Sequence, residues 1–333
     1  NQSQLYPLRF QPIYQYRPWG GRRLGKWLTA PLPGAGAIGE AWVLSDREGH
    51  SSVVANGPLK GHTITQLMTE SAVGMLGGMG SHATRFPLLL KFLDARDSLS
   101  VQVHPTDQQT NELPPGESGK TEAWVVLEAG ERSRIYAGLK TPTSADELRR
   151  AIETGSLPDL LAAFTPREGD SILLEAGTVH SLADTVVFEV QQNSDVTFRL
   201  YDWDRIDAAT GQPRALEIEK AIACIDFTKG PPSLAVPIME TLEPVMRERL
   251  LGCEHFEMWR IRGKSRFPVG ETGVPRALVC IGGDGYFEHH GVNHAVTRGD
   301  VFLIPAAVGE CVCQPCGAIS LLEISLPEGR ISQ

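Results

Sequence analysis

The stretch Leu99-Ser100-Val101-Gln102-Val103-His104-Pro105 carries the first residues that could do chemistry. Side chains alternate along a strand, so Ser100, Gln102 and His104 point one way while Val101 and Val103 plug a wall on the other. Lys120, Glu122 and Trp124 share a face around a second predicted strand, Glu122 to Leu127, and a third, Ser171 to Leu174, turns at Ala176-Gly177 and delivers His180. Two imidazoles, a carboxylate and a carboxamide from three strands make a site for one divalent metal, with space left for a substrate. Taken singly, His104 reads as a satisfied core histidine and Gln102 as structural; the set of four points to a metal.

The elements that must position these groups are short β-runs punctuated by Gly, Pro, Asn and Asp. Predicted strands also include 41–45, 88–94, 134–137, 186–191 and 196–201, a pattern that favours a mainly β sandwich or barrel. One helical insertion, about 143–165, starts at the capping box Ser144-Ala-Asp-Glu147, with Leu148 and Ile152 at helical spacing and a second short helix from about Pro158 to Phe164. Gly74-Met-Leu-Gly-Gly-Met-Gly80 reads as a loop, and it lacks the Lys-Ser/Thr ending of a phosphate-cradling loop. A weak internal repeat sets Arg167-Glu-Gly169-Asp170-Ser-Ile-Leu-Leu against Thr297-Arg-Gly299-Asp300-Val-Phe-Leu-Ile. Two copies of one β-barrel unit, 1–230 and 240–333, joined near Lys229-Gly-Pro-Pro232, would explain it. The second copy has Ala307-Val-Gly309-Glu310 where the first has Gly177-Thr-Val-His180, so the metal is expected only in the first.

The chain of 333 residues is 41% hydrophobic and 21% charged, enough for a large core without disulfides. A net charge of −9 argues against a nucleic-acid or anionic-membrane footprint, while a local Lys/Arg cluster can still receive an anionic small molecule. No apolar run is long enough to span a bilayer and no basic-then-apolar signal pattern opens the chain, so a cytoplasmic location is expected. Six cysteines suit a reducing compartment, and Cys311, Cys313 and Cys316 read as packed free thiols better than as a metal or redox cluster. His289, His290 and His294 read as exposed residues of a hairpin tip.

Gly169-Asp170…Gly177…His180 and Gln102-x-His104…Glu122…Gly130 resemble the two cupin motifs, with Gln in place of the first cupin histidine. Arg17-Pro-Trp-Gly-Gly, Gly39-Glu40-Ala-Trp42, Leu89-Leu-Lys91-Phe-Leu-Asp94, Gly119-Lys120-Thr-Glu122-Ala-Trp124 and Ser194-Asp195-Val-Thr-Phe-Arg199 extend the likeness over most of the chain. The ordered set resembles type I phosphomannose isomerase in its short bacterial form. Longer relatives have a His before the metal-proximal Lys; Gly119 stands there in this chain, so no role of that His carries over.

The resemblance implies two cupin-type jelly-roll domains, interconversion of mannose 6-phosphate and fructose 6-phosphate, and a divalent metal, usually zinc. It places the metal on Gln102, His104, Glu122 and His180, the essential arginine at Arg199 and pocket lysines at Lys91 and Lys120. Aldose–ketose isomerisation moves a proton between C2 and C1 through an enediol(ate), so cations that hold adjacent oxygens are expected. Arg199 is then a fixed cation over the enediolate or the phosphosugar; otherwise it pairs with Asp195, Asp202 or Asp204. Ser100, Lys91 and Glu40 are expected near substrate, Lys91 being otherwise an edge residue that snorkels out of an apolar strand. Glu175, Asp195, Lys120 and a hydroxide on the metal all stay open as the base. Another cupin metalloenzyme, such as an oxygenase, or a non-catalytic phosphosugar-binding cupin is the competing reading; the Gln ligand and the clustered cations favour the isomerase. The expected assembly is a monomer or homodimer.

Overall fold

The computed structural model describes residues 5–140, 142–241 and 243–327. The chain is mainly β and builds three stacked layers. A nine-stranded sheet takes its central strands from Glu40–Leu44, Leu88–Ala95, Glu122–Leu139 and His180–Gln192. A seven-stranded sheet is drawn mostly from residues after 238, and a four-stranded sheet, Phe267–Val269 to Val292–Thr297, completes the stack.

Period-two alternation decides which side chains join which layer. In Arg276–Gly282, Ala277 and Val279 enter the core shared with the nine-stranded sheet, while Leu278 and Cys280 enter the core shared with the four-stranded one. Leu88, Leu90 and Phe92 likewise face the seven-stranded sheet, as do Ala123, Val125 and Leu127. Their neighbours Lys91, Glu122 and Trp124 therefore face the opposite, concave side. The N-terminal Leu8–Arg9 pairs with Val301–Ile304, stitching the start of the chain into the seven-stranded sheet.

The two halves of the internal repeat fold alike. Gly169 and Gly299 both take positive φ, +89° and +92°, a conformation that favours glycine. The carboxylates of Asp170 and Asp300 accept from the backbone N–H of Arg167 and Thr297 at 2.8 and 2.9 Å. The same glycines donate to Val126 O and Cys280 O, both at 2.8 Å.

Four sequence expectations need correction. The predicted strands 122–127 and 134–137 are one continuous strand, Glu122–Leu139. Gly130 does not end it; glycine there makes room for the Asp184 carboxylate, 2.2 Å from where a Cβ would lie, beside a register shift between Ala183 and Thr185 of the partner strand. Gly74–Gly80 is not a loop: Ile64–Leu76 is a helix with a Thr63/Gln66 capping box, followed by a 3-10 turn, Gly77–Ser81. Its terminal carbonyls Gly74 O and Met75 O accept from the backbone of Ala307 and Ala306, so a tertiary partner completes an end the local sequence leaves open. The predicted second short helix stops at Leu160, and Leu161–Phe164 is a strand. Of the three hairpin histidines only His290 is exposed; His289 is buried and His294 stacks on Tyr6 at 5.7 Å. The first helix of the insertion, Ala145–Glu153, carries the expected capping box.

Candidate active site

Strand register sets out the site in rows. Arg199, Gln102 and His180 lie side by side on three adjacent strands. Trp42, Lys91, Glu189 and Trp124 form a second row across four, and Gln191 pairs with Glu122 one step along.

His104, Glu122 and His180 are buried, and their ligand atoms all lie within 4.8 Å of one another. His104 Nε2 is 3.4 Å from Glu122 Oε2, and His180 Nε2 is 3.2 Å from Glu122 Oε1. Each imidazole holds a backbone carbonyl with Nδ1, Val196 O for His104 and Thr178 O for His180, both at 2.8 Å. Those contacts select the tautomer whose Nε2 lone pair faces the carboxylate, the arrangement a metal-ligating histidine needs. Lys120 Nζ is 2.7 Å from Glu122 Oε2, yet neither buried Glu122 oxygen has a hydrogen bond of proper direction. The two imidazole Nε2 atoms, that of His104 lying 3.2 Å from Lys120 Nζ, and a carboxylate without aligned donors suit one divalent cation. The Gln102 carboxamide lies beside them, its Nε2 3.4 Å from His180 Nε2 and its Oε1 accepting from Ser100 at 3.1 Å; a half-turn of the amide presents the oxygen instead.

Burial pushes the His104 pKa down to about 3, and the Lys120 charge adds to it, so the imidazole is neutral and able to ligate. Burial also opposes ionisation of Glu122, but Lys120 and then His104 outweigh it and hold that carboxyl well below its usual range. Lys120 stays charged: burial works against its proton, while Glu122 and Glu189 more than compensate and raise its pKa.

A cavity of about 350 Å³ reaches this group through Gln102 and Lys120, with His104, Glu122 and His180 behind its wall; its lining also includes Arg17, Glu40, Lys91, Glu189, Asp195, Arg199 and Arg214. A model of the type I phosphomannose isomerase catalytic domain matches residues 8–121. Mannose-6-phosphate isomerase ManA of Bacillus subtilis is 35% identical over 311 residues, which is 91% of this chain and 94% of that protein. The mannose-6-phosphate isomerase of Streptococcus mutans is 35% identical over 91% of this chain and 93% of its own. The chain belongs to the type I phosphomannose isomerase family. The crystal structure of a mannose 6-phosphate isomerase from Bacillus subtilis superposes with a TM-score of 0.86 at 29% identity, covering 96% of this chain and 99% of that one.

Within this phosphomannose isomerase scaffold the residues singled out from sequence fall at different depths. Lys91 is 3% exposed, 3.3 Å from Glu189 Oε1 and over the Trp42 ring, so it is an interior cation and not a snorkelling edge residue. Glu40 is buried with both oxygens engaged by Arg17 and one by Trp42 Nε1. Ser100 is buried under Gln102 and absent from the cavity lining. Arg199 reaches the cavity half-buried, with no partner for Nε and Glu217 only at 4.0 Å. Burial, and then Arg214, lower its pKa. Asp195 lines the cavity, whereas Glu175 lies outside it in an exposed pair with Lys229.

Sequence reasoning assigned no role to Glu189, Arg17 or Arg214. Glu189 carried the same signal as Lys91, a charge inside an apolar strand, Val186-Val-Phe-Glu-Val190. Arg17 stood in a quoted motif, but nothing local says that it meets Glu40. Arg214, clamped by Asp202 at 2.8 and 2.6 Å, follows the two-residue strand Gln212–Pro213 and had no local signal. Cys311 and Cys313 are buried in the core between the four- and seven-stranded sheets, and Cys316 is exposed beyond their strand.

Proposed function

We propose that this chain interconverts mannose 6-phosphate and fructose 6-phosphate at the cavity above His104, Glu122 and His180, with Zn²⁺ held by those residues and Gln102. The observation that carries this reading is a buried His–Glu–His group whose neighbours Gln102 and Lys120 line a cavity rich in Lys and Arg, in a chain with 35% identity to mannose-6-phosphate isomerases over nine-tenths of its length. A dication there supplies a Lewis acid beside the sugar oxygens at C1 and C2.

The chain's own groups do the rest. Lys120 stays protonated and stabilises charge that develops on those oxygens as the proton leaves carbon. Arg199, the guanidinium without a close carboxylate, offers an unspent cation to the phosphosugar or the enediolate. Glu189 Oε1 is buried, lacks a hydrogen bond and belongs to a carboxyl whose pKa burial and then Glu122 raise; it carries the proton between C1 and C2. Lys91 and Glu40 fix that carboxylate from the far side, and Ser100 orients Gln102. A non-catalytic phosphosugar-binding cupin would keep the same charged cavity, and measured turnover of mannose 6-phosphate separates it from the isomerase.

The two folded copies of the Gly-Asp turn support a pair of cupin-type barrel units, 1–230 and 240–333, of which only the first is catalytic. Among the described residues, the only His, Cys, Asp or Glu group close enough to hold a metal is the one in the first unit. The substrate is a soluble phosphosugar, the location is cytoplasmic, and no helix among the described residues is long and apolar enough to cross a membrane. Turnover of mannose 6-phosphate in D₂O tests the proton-transfer step: deuterium at C1 of fructose 6-phosphate is expected. A product free of solvent deuterium at every time point, together with no exchange into recovered substrate, counts against a solvent-exchangeable base and for hydride migration.

A further inference from the structure

A continuous chain of alternating charges runs from the cavity mouth to the metal group. Arg17 Nη2 is 3.0 Å from Glu40 Oε2, Glu40 is 4.0 Å from Lys91 Nζ, and Lys91 is 3.3 Å from Glu189. Glu189 is in turn 3.9 Å from Lys120 Nζ, which is 2.7 Å from Glu122. Every member after Arg17 is less than one-tenth exposed. The buried part holds Glu40, Glu189 and Glu122 against only Lys91 and Lys120, so Arg17 supplies the third cation. A dication at Glu122 adds positive charge only at the far end of the chain, whereas Glu40 at the near end has only Arg17 and the shared Lys91 to balance it in an interior of low dielectric.

Arg17 meets that need with a fork. Its Nε and Nη2 donate to the two separate oxygens of Glu40 at 3.1 and 3.0 Å, a bidentate geometry that lysine cannot reproduce. The seat for this side chain is built by two motifs that the metal chemistry leaves unused. A Cβ on Gly39 would fall 2.4 Å from Arg17 Cβ and 2.8 Å from the Trp19 ring, and one on Gly20 would fall 2.4 Å from Gly39 N. Gly20 N donates to Arg17 O and Ile38 N to Gly21 O, so Arg17-Pro-Trp-Gly-Gly21 interlocks with Gly39-Glu40. Glycine at 20 and 39 lets the arginine stem cross the strand that carries its partner.

We infer that Arg17 is a positioning residue for the isomerase: by occupying both Glu40 oxygens it leaves Lys91 to Glu189 and so fixes the carboxylate that faces the sugar. Other charged groups bear on the pair less directly; Asp195 acts on Arg17 at longer range, and Arg17 Nη1 is spent on Tyr16 O at 3.0 Å. When Arg17 is removed, Glu40 must draw on Lys91, and Glu189 loses its nearest cation. Removing the Glu40 charge as well relieves that competition, and this compensation distinguishes the role from a simple loss of packing.

The inference rests on the isomerase reading, and steady-state kinetics on the Zn²⁺-loaded protein separate the two. Wild-type protein that does not turn over mannose 6-phosphate refutes the isomerase reading itself. Given turnover, Arg17→Met is expected to lower kcat roughly tenfold or more with KM within about twofold, and Arg17→Met/Glu40→Gln to regain most of the loss, as coupled neighbours do. A KM rise with unchanged kcat would mean that Arg17 grips the substrate itself, and a double variant no better than Arg17→Met would remove the relay through Glu40; either overturns the inference. A cooperative circular dichroism melt above the assay temperature and a zinc content equal to wild type confirm that the variants are folded and loaded. If Arg17→Met does not fold, Arg17→Lys, which keeps the charge and loses the fork, must show the same kcat-weighted loss, and a loss confined to KM overturns the inference there too.

Discussion

Replacing Glu40 by Gln should weaken folding by an amount that depends on pH in a calculable way. Burial opposes ionisation of this carboxyl, but Lys91 and Arg17, helped by the hydrogen bonds from Trp42 and Arg17, hold its pKa down to about 2 from 4.5. A carboxyl depressed on folding contributes stability that is complete above its unfolded pKa and disappears as pH falls through its folded one. The shift amounts to about 3 kcal/mol at pH 7, of which roughly 1.4 kcal/mol remains at pH 3. Gln keeps the size of the side chain and an acceptor for Trp42 Nε1 but does not titrate. The difference between wild type and variant therefore reports Glu40 together with its effect on neighbouring Glu189, whose pKa it helps to raise, while the surface carboxyls contribute equally to both. Urea denaturation of chelator-treated protein at pH 7 and pH 3 measures it. A gap in unfolding free energy that is equal at the two pH values, or wider at pH 3, would refute the electrostatic reading of this cluster.

His180→Ala should lose stoichiometric Zn²⁺ after dialysis while retaining its fold, since one imidazole fewer leaves a site of three unlike ligands; full zinc content by atomic absorption would contradict the ligand set. Arg199→Ala should keep zinc content and melting temperature while kcat falls about a hundredfold or more, the usual scale for loss of a charge-stabilising group, and near-normal turnover would return Arg199 to a surface role. Burial pushes the thiols of Cys280, Cys311 and Cys313 up to about 12, so iodoacetamide at pH 8 should label exposed Cys316 first and reach those three only in denaturant; early labelling of any of them would show that their core opens readily. Ser144→Ala should cost about 1 kcal/mol through loss of its capping box, read as a lower urea midpoint, and an unchanged midpoint would mean that the insertion helix unfolds independently of the rest.

The parts of the site legible in sequence are those that the strand period controls. Gln102 and His104 share a face because they are two residues apart, and the turn at Gly177 sends His180 across to pair with Gln102, so local pattern and resemblance pointed to the same candidate residues. Lys91 stood out as a charge inside an apolar strand. What stayed hidden depends on contacts between distant segments. The meeting of Arg17 with Glu40 is set by the interlock of Gly20 and Gly39, the helix Ile64–Leu76 is finished by Ala306 and Ala307, and Gly130 leaves room for Asp184 beside a strand. In each case the deciding atom belongs to another part of the chain, and a glycine that looked like a break marks a close approach. The three-layer stacking was likewise not visible locally, because a strand buried on both faces, such as Leu88–Ala95, lacks the alternation that separates core from solvent.

The central claim, that the group of Gln102, His104, Glu122 and His180 makes this chain a metal-dependent mannose-6-phosphate isomerase, meets its most direct test in a coupled assay. Fructose 6-phosphate formed from mannose 6-phosphate is measured on chelator-treated protein with and without added Zn²⁺. Turnover that is absent after chelation and restored by Zn²⁺ is the predicted result; folded protein that forms no fructose 6-phosphate with any divalent metal, or that works equally well without one, contradicts the account.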